Sequence, residues 1–349
     1  MAKLFEPFTL NQFTVKNRIM MSPMCQYSVW DEDGKPSEWH YVHYISRAVG
    51  GAGLIIMEMT DVDPNGRITV RDLGLWSDDQ ISAFQRIIDQ VHGYGAKIGV
   101  QIAHAGRKTE SLELQPVAPS PIAFSERYRV PQELTISDIH RLVDQFGQAA
   151  KRAVQAGADV VEIHGAHGYL VHQFMSPLSN HRTDEYQDPV RFGTEVIQAV
   201  KSNLPQGMPL IMRLSATDYV EEGYGFADLE KMAEVFQKHG VDMFDVSSGG
   251  NAPLVPNTFP GYQVPYAAKL RERLKVPVIA VGMLETPELA ESVLQQGQAD
   301  LIAIARGMLR NPYWANTAAM ALGGTIQVPQ EYDRAFPREF VQRPSKVLV

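Results

Sequence analysis

The chain has 349 residues, and its 32 Lys and Arg stand against 40 Asp and Glu, a formal charge of −8. That acidity argues against a nucleic-acid or anionic-membrane partner, either of which needs a clustered basic face. The one cysteine, Cys25, excludes an internal disulfide and a four-cysteine zinc or iron–sulfur site built from this chain alone.

The first ten residues carry one Lys and no long apolar run, so they do not read as a secretory signal. No stretch approaches the ~18 apolar residues of a membrane span, and a cytoplasmic protein is expected. Residues 5–17 hold two Phe-Thr pairs around Asn11-Gln12 and read as a small hairpin. Eight short apolar runs follow, at 18–22, 54–59, 97–102, 160–164, 210–214, 243–247, 278–281 and 301–305. Several are apolar on both faces, as helix-covered parallel strands require. Between them lie amphipathic stretches at 39–49, 78–92, 137–155, 191–203, 226–239, 266–274, 287–297 and 312–322. Ser137 and Thr286 are placed at helix starts, and Gly50, Gly93, Gly157, Gly240 and Gly323 at or just past helix ends. The stretch 103–136 holds four prolines and reads as an excursion over one end of the fold. Eight strand–helix alternations with right-handed crossovers predict a (β/α)8 TIM barrel in one α/β domain, 1–349. A doubly wound open sheet is the alternative. Residues 341–349 form a C-terminal extension without an assigned role.

Polar residues interrupt these strands near their C-terminal ends, where barrel active sites are built. They are Gln101, then Glu162 and His164, then Arg213, then Asp245 and Ser247. A buried, unpaired guanidinium costs several kcal/mol, so Arg213 must meet Glu162, Asp245 or an electron-rich ligand. In His164-Gly165-Ala166-His167-Gly168-Tyr169, two imidazoles and a phenol converge on one mouth. Two N–H donors and a proton source suit a carbonyl oxygen that becomes negative. Two histidines at this spacing could also hold zinc, with Glu162 as a third ligand one layer deeper. Gly282-Met283 after strand seven and Ala305-Arg306-Gly307 after strand eight suit a phosphate. No G-x-G-x-x-G or P-loop motif occurs, so a phosphorylated cofactor would sit on the barrel top.

Several motifs resemble the old yellow enzyme family, in its thermophilic-like ene-reductase branch. They are Lys16-Asn17-Arg18-Ile19, Ser22-Pro23-Met24-Cys25-Gln26-Tyr27, Gln101-Ile102-Ala103-His104-Ala105-Gly106-Arg107, the His164–Tyr169 cluster with Leu170, and Ser176-Pro177-Leu178-Ser179-Asn180-His181-Arg182-Thr183-Asp184. The resemblance covers roughly residues 4–340. It implies an FMN-binding (β/α)8 barrel that oxidises NADPH in preference to NADH and reduces activated alkenes. Ser22, Pro23, Met24, Cys25, Met59, Gln101, Arg213, Ser247, Gly282, Met283, Ala305, Arg306 and Gly307 would then surround FMN, with Cys25 tuning its redox potential. Arg213 would face the ring edge where charge accumulates on reduction. His164 and His167 would hold the substrate oxygen, Tyr27 would assist, and Tyr169 would donate a proton. Arg334 would enter the neighbouring protomer's site, which implies a homodimer or a dimer of dimers. Met59 stands where the branch has a small residue, Ala305 replaces a glycine, and the loop after Tyr186 is shortened. Two rivals are a dienoyl-reductase-type FMN barrel, made remote by the single cysteine, and a metallohydrolase using His164 and His167.

Overall fold

The eight apolar runs form one closed parallel sheet in the computed structural model, which describes residues 2–341. The strands are β1 (Ile19–Met21), β2 (Leu54–Asp61), β3 (Lys97–Ala103), β4 (Val160–Gly165), β5 (Leu210–Ser215), β6 (Met243–Ser247), β7 (Val278–Ala280) and β8 (Leu301–Ile304). Each pairs in parallel with its sequence neighbours, and β1 closes the ring by bonding both β2 and β8. The (β/α)8 barrel is the architecture, and the open-sheet alternative falls away. A two-residue strand, Leu73–Gly74, adds to the outer end of β2.

Alternation divides the strand side chains between two cores. Met20, Leu54, Ile56, Val160, Ile211, Met243, Ile279 and Leu301 fill the lower barrel. Ile163, Met212, Leu214 and Phe244 belong instead to the larger cluster formed with the helices. The hairpin Phe8–Leu10/Phe13–Val15 turns at Asn11, and its Phe13 and Val15 plug the lower opening. Each such side chain contributes about 1.5–3 kcal/mol when fully buried.

The surrounding helices are α1 (Glu38–Val49), α2 (Ile81–Gly93), α3 (Ile136–Gln155), α4 (Leu170–Met175), α5 (Arg191–Lys201), α6 (Phe226–Lys238), α7 (Val264–Leu274), α8 (Pro287–Gln295), α9 (Arg306–Arg310) and α10 (Trp314–Leu322). Sequence reasoning placed the cap of α3 at Ser137. The cap is Thr135, whose hydroxyl accepts the Asp138 N–H at 3.1 Å while Asp138 accepts the Thr135 N–H at 3.0 Å. Asp138, at the third helical position, completes a capping box that Ser137 cannot form. The short α4 and α9 were not predicted as helices. The 103–136 excursion is held by a one-turn 3-10 helix, Gly106–Lys108, and by pairing of Val117–Ala118 with Gln132–Glu133. Among the described residues, no helix is long and apolar enough to cross a membrane. The predicted extension lies outside the described residues from 342 onward; Val341 itself bridges to Ile326.

Candidate active site

Register places the polar strand residues in two successive rows, with Gln101 and Glu162 one step below the rest. Gln101 lies beside Glu162, and Arg213 lies between His164 and Asp245. All five are nearly or fully buried. Gln101 Nε2 donates to Glu162 Oε1 at 2.7 Å, and Arg213 Nε sits 3.1 Å from Asp245 Oδ2. Burial pushes the Glu162 carboxyl up, helped by Asp245, and burial raises Asp245 as well despite Arg213. Arg213 thus has the internal acidic partner that was one of its two expected fates. It also lines a cavity of about 160 Å³ with Ser247, Gly282, Met283, Ala305 and Arg306.

Near its end β4 presents the His164 imidazole, and the loop that follows adds the His167 imidazole and the Tyr169 phenol. The Ala166 N–H donates to His164 Nδ1 at 3.3 Å, which leaves Nε2 to carry the proton. Burial and the Arg213 charge hold both imidazoles well below the usual histidine range, so each is neutral at neutral pH. The His164 ring lies 5.0 Å from His167 and 4.9 Å from Tyr169, edge-on to both. The two histidines are not equivalent. His167 has φ +59°, its N–H donates to Ser215 Oγ, and its Nε2 is 2.7 Å from Ser247 Oγ. His164 therefore presents an uncommitted N–H, while the Nε2 of His167 is already engaged. Burial and the nearby Cys25 push the Tyr169 phenol well up, so it is a neutral proton carrier.

The turn that carries these groups is anchored from below. Gly168, at φ +73°, donates its N–H to His172 Nδ1 at 2.9 Å. A Cβ there would lie 2.4 Å from Gly250 O. His172 Nε2 is 3.0 Å from Asp218, which also accepts the Ser176 hydroxyl at 2.6 Å. Lys108 Nζ donates to His167 O and Gly250 O at 2.9 and 3.0 Å and lies 5.2 Å from the Tyr169 ring centre. Burial, with Arg107 nearby, lowers the Lys108 ammonium to about 8. Sequence reasoning missed Lys108, His172 and Asp218. Lys108 directly follows the quoted Gln101–Arg107 motif, His172 lies within α4, and Ser176 follows it.

Cys25 packs with Met59, Ile68, Ala103, Ala105 and Tyr169 in a small apolar cluster. Burial and the carboxyls of Glu58, Asp72 and Asp61 push its thiol well up, so it stays neutral. Glu58 accepts the Gln26 N–H at 2.6 Å and the Tyr44 hydroxyl at 3.0 Å, fixing the 23–27 segment from behind. Tyr27, at φ +51°, remains 43% exposed beside Cys25. Ser22 Oγ is buried without a hydrogen-bond partner. Gly282 adopts φ +124°, and a Cβ there would lie 2.9 Å from Gln263 Oε1. Arg306 is exposed as the first residue of α9, and the buried Gly307 lets that helix approach β8, since its Cβ would lie 2.9 Å from Ile304 Cγ2. Arg334 is not among the mouth residues. It is exposed in the turn Gln330–Ala335, whose Tyr332 packs on Tyr313 at the start of α10. No group of three or more His, Cys, Asp or Glu among the described residues is arranged to hold a metal ion.

The model of the NADH:flavin oxidoreductase / NADH oxidase family matches residues 3–323. The chain belongs to that family. It is 49% identical over 338 residues to a protein of Bacillus velezensis named NADPH dehydrogenase, covering 96% of this chain and 99% of the relative. Morphinone reductase superposes with a TM-score of 0.77 at 27% identity, covering 98% of this chain and 94% of that one. A 2-naphthoyl-CoA reductase superposes with a TM-score of 0.87 at 23% identity, which shows the fold; this chain spans about half of it (52%).

Membership makes this protein an FMN-dependent oxidoreductase of the old yellow enzyme kind, and its residues fit the cofactor. Arg213 and Arg306 bring two guanidinium groups to the cavity, and Gly282 and Met283 offer backbone close to it. Those are the donors an anionic phosphate and an electron-accepting ring edge require. The orphaned Ser22 Oγ is a further buried polar atom that a ligand can satisfy.

Proposed function

We propose that this chain is a cytoplasmic NADPH:alkene oxidoreductase. It would reduce the C=C bond of enones, enals, maleimides or nitroalkenes through two half-reactions at one mouth. The observation that carries this reading is the neutral His164, its Nε2–H uncommitted, edge-on to the neutral phenol of Tyr169 at 4.9 Å. An N–H donor beside a proton source suits an oxygen that gains charge while the adjacent carbon gains a proton.

Bound FMN would supply hydride transfer between NADPH and the alkene β carbon. Gly282, Met283, Ala305, Arg306 and Gly307 would hold the FMN phosphate, and Ser22, Pro23, Met24, Gln101 and Arg213 would line its ring. Cys25 and Met59 form an apolar wall, and the neutral thiol tunes the ring without attacking the substrate. His164 donates Nε2–H to the substrate carbonyl or nitro oxygen. His167 joins it by turning Nε2 from Ser247 towards the same oxygen. Tyr169 delivers the α proton, and Lys108 steadies the loop backbone beneath it. Tyr27 borders the opening. Since NADPH and alkene use the same mouth, each excludes the other, and ping-pong kinetics result. NADPH is favoured because the similar Bacillus protein is named for it. The exposed Arg334 suits insertion into a second copy, within a homodimer or dimer of dimers of single-domain subunits.

The test is NADPH oxidation by purified protein under argon, with and without cyclohexenone. Turnover that depends on the alkene and yields the saturated ketone supports the reading. NADPH oxidation indifferent to every alkene tested overturns it.

A further inference from the structure

Below the mouth, Glu162, Asp245 and Arg213 form a sealed cluster that none of these roles uses apart from Arg213. Asp245 meets the guanidinium directly, and the buried Glu162 carboxyl feels the charges of both. Of the four carboxyl oxygens, only Glu162 Oε1 receives a hydrogen bond, from Gln101; Glu162 Oε2 and both Asp245 oxygens are buried with none. Arg213 Nε is 3.1 Å from Asp245 Oδ2 yet off the line of a hydrogen bond. The other neighbours do not supply a second positive charge. Gln101 on β3 is an uncharged amide, and His164, two residues along β4, is held neutral.

Two ionised carboxylates here would leave one negative charge uncompensated in a dry interior, at a penalty of several kcal/mol. One proton on the pair removes it, because a carboxylate, a carboxylic acid and a guanidinium are together neutral. Arg213 also lines the cofactor cavity. Negative charge gathered on that side of the guanidinium competes with the carboxylate for it.

We propose that Glu162 and Asp245 share one proton at rest and take up a second from solvent when negative charge appears on the cavity side of Arg213. They act through Arg213 and are positioning residues for charge, out of the substrate's reach. This rests on the FMN assignment of the cavity. The balance is simple. Hydride leaves NADPH as NADP+ forms, which adds two electrons, one proton and one net negative charge to the site. One solvent proton then converts the remaining carboxylate to the acid, and the site's charge is restored. When the alkene removes the hydride, that proton returns to solvent.

The experiment follows the reduction potential of bound FMN against pH, using dithionite and reference dyes. One proton per two electrons shifts the equilibrium tenfold per pH unit, about 30 mV. Two protons shift it a hundredfold, about 60 mV. Wild-type protein should show the steeper slope near neutral pH, and the E162Q/D245N double variant, which leaves no carboxyl to protonate, the shallower one. The shallow slope in both, or the steep slope in both, overturns the proposal. Either single variant leaves one carboxylate with Arg213 and should keep the steeper slope. A second measurement uses FMN-free protein. The infrared C=O stretch of protonated carboxyls, to which the buried Asp61 also contributes, should at neutral pH contain a component in the wild type that is lost in E162Q and D245N. A band unchanged between wild type and both variants overturns the shared resting proton. Protein that binds no FMN but shows this component refutes the cofactor assignment and leaves the shared proton standing.

Discussion

Replacing His164 by Ala probes the most specific geometric assignment. The side chain is 3% exposed, and the Ala166 N–H at 3.3 Å fixes its Nε2–H tautomer. A hydrogen bond from such a donor to a charged oxygen is worth about 1.5–3 kcal/mol. At 1.4 kcal/mol per decade, His164→Ala should weaken binding of a phenolate by about 10- to 100-fold. His167→Ala should do less, because the Nε2 of His167 must first give up its 2.7 Å contact with Ser247. Both imidazoles are neutral well above their lowered pKa values, so affinity expressed per phenolate should stay flat from about pH 6 to 9. The assay is a titration of holoenzyme with para-nitrophenol, followed through the flavin absorbance, with FMN affinity as the control. A loss under threefold for His164→Ala, or a larger loss for His167→Ala, would refute the assignment. So would an equal loss of FMN affinity.

Tyr169→Phe should slow reoxidation of the reduced enzyme by an enone about 10²- to 10⁴-fold and leave reduction by NADPH unchanged, as stopped-flow traces would show. Gly168→Ala puts a Cβ 2.4 Å from Gly250 O at φ +73° and should lower stability by about 1–3 kcal/mol in thermal unfolding. Asp218→Asn reports on the anchor beneath the loop. Burial opposes ionisation of Asp218, but His172 and the Ser176 hydroxyl outweigh it and hold the carboxyl below its usual range. Its folded pKa is depressed, so its contribution is present above about pH 4 and is lost as pH falls through the folded value. The stability gap between wild type and Asp218→Asn should therefore close in acid, and a gap unchanged down to pH 2 would count against the contact.

The barrel was legible because parallel strands must be apolar on both faces, a pattern that runs such as Leu301–Ile304 print directly. The polar intruders were legible for the converse reason. Arg213 and Glu162 are too costly to bury unless they meet partners or a ligand. What the sequence hid was tertiary pairing. Nothing local shows that Ser247 engages His167, or that His172 reaches Asp218 forty-six residues away while gripping Gly168. Nothing local shows either that the Lys108 ammonium donates to two loop carbonyls, those of His167 and Gly250. The six-residue α4 and five-residue α9 are too short to display a helical period, and their anchoring comes from the barrel.

The central claim is that FMN held beneath the two histidines passes hydride from NADPH to an activated alkene. Anaerobic mixing tests it most directly. NADPH should bleach the flavin band, and cyclohexenone added afterwards, without oxygen, should restore it in step with formation of cyclohexanone. A flavin that NADPH reduces but no enone, enal, maleimide or nitroalkene reoxidises would contradict the account.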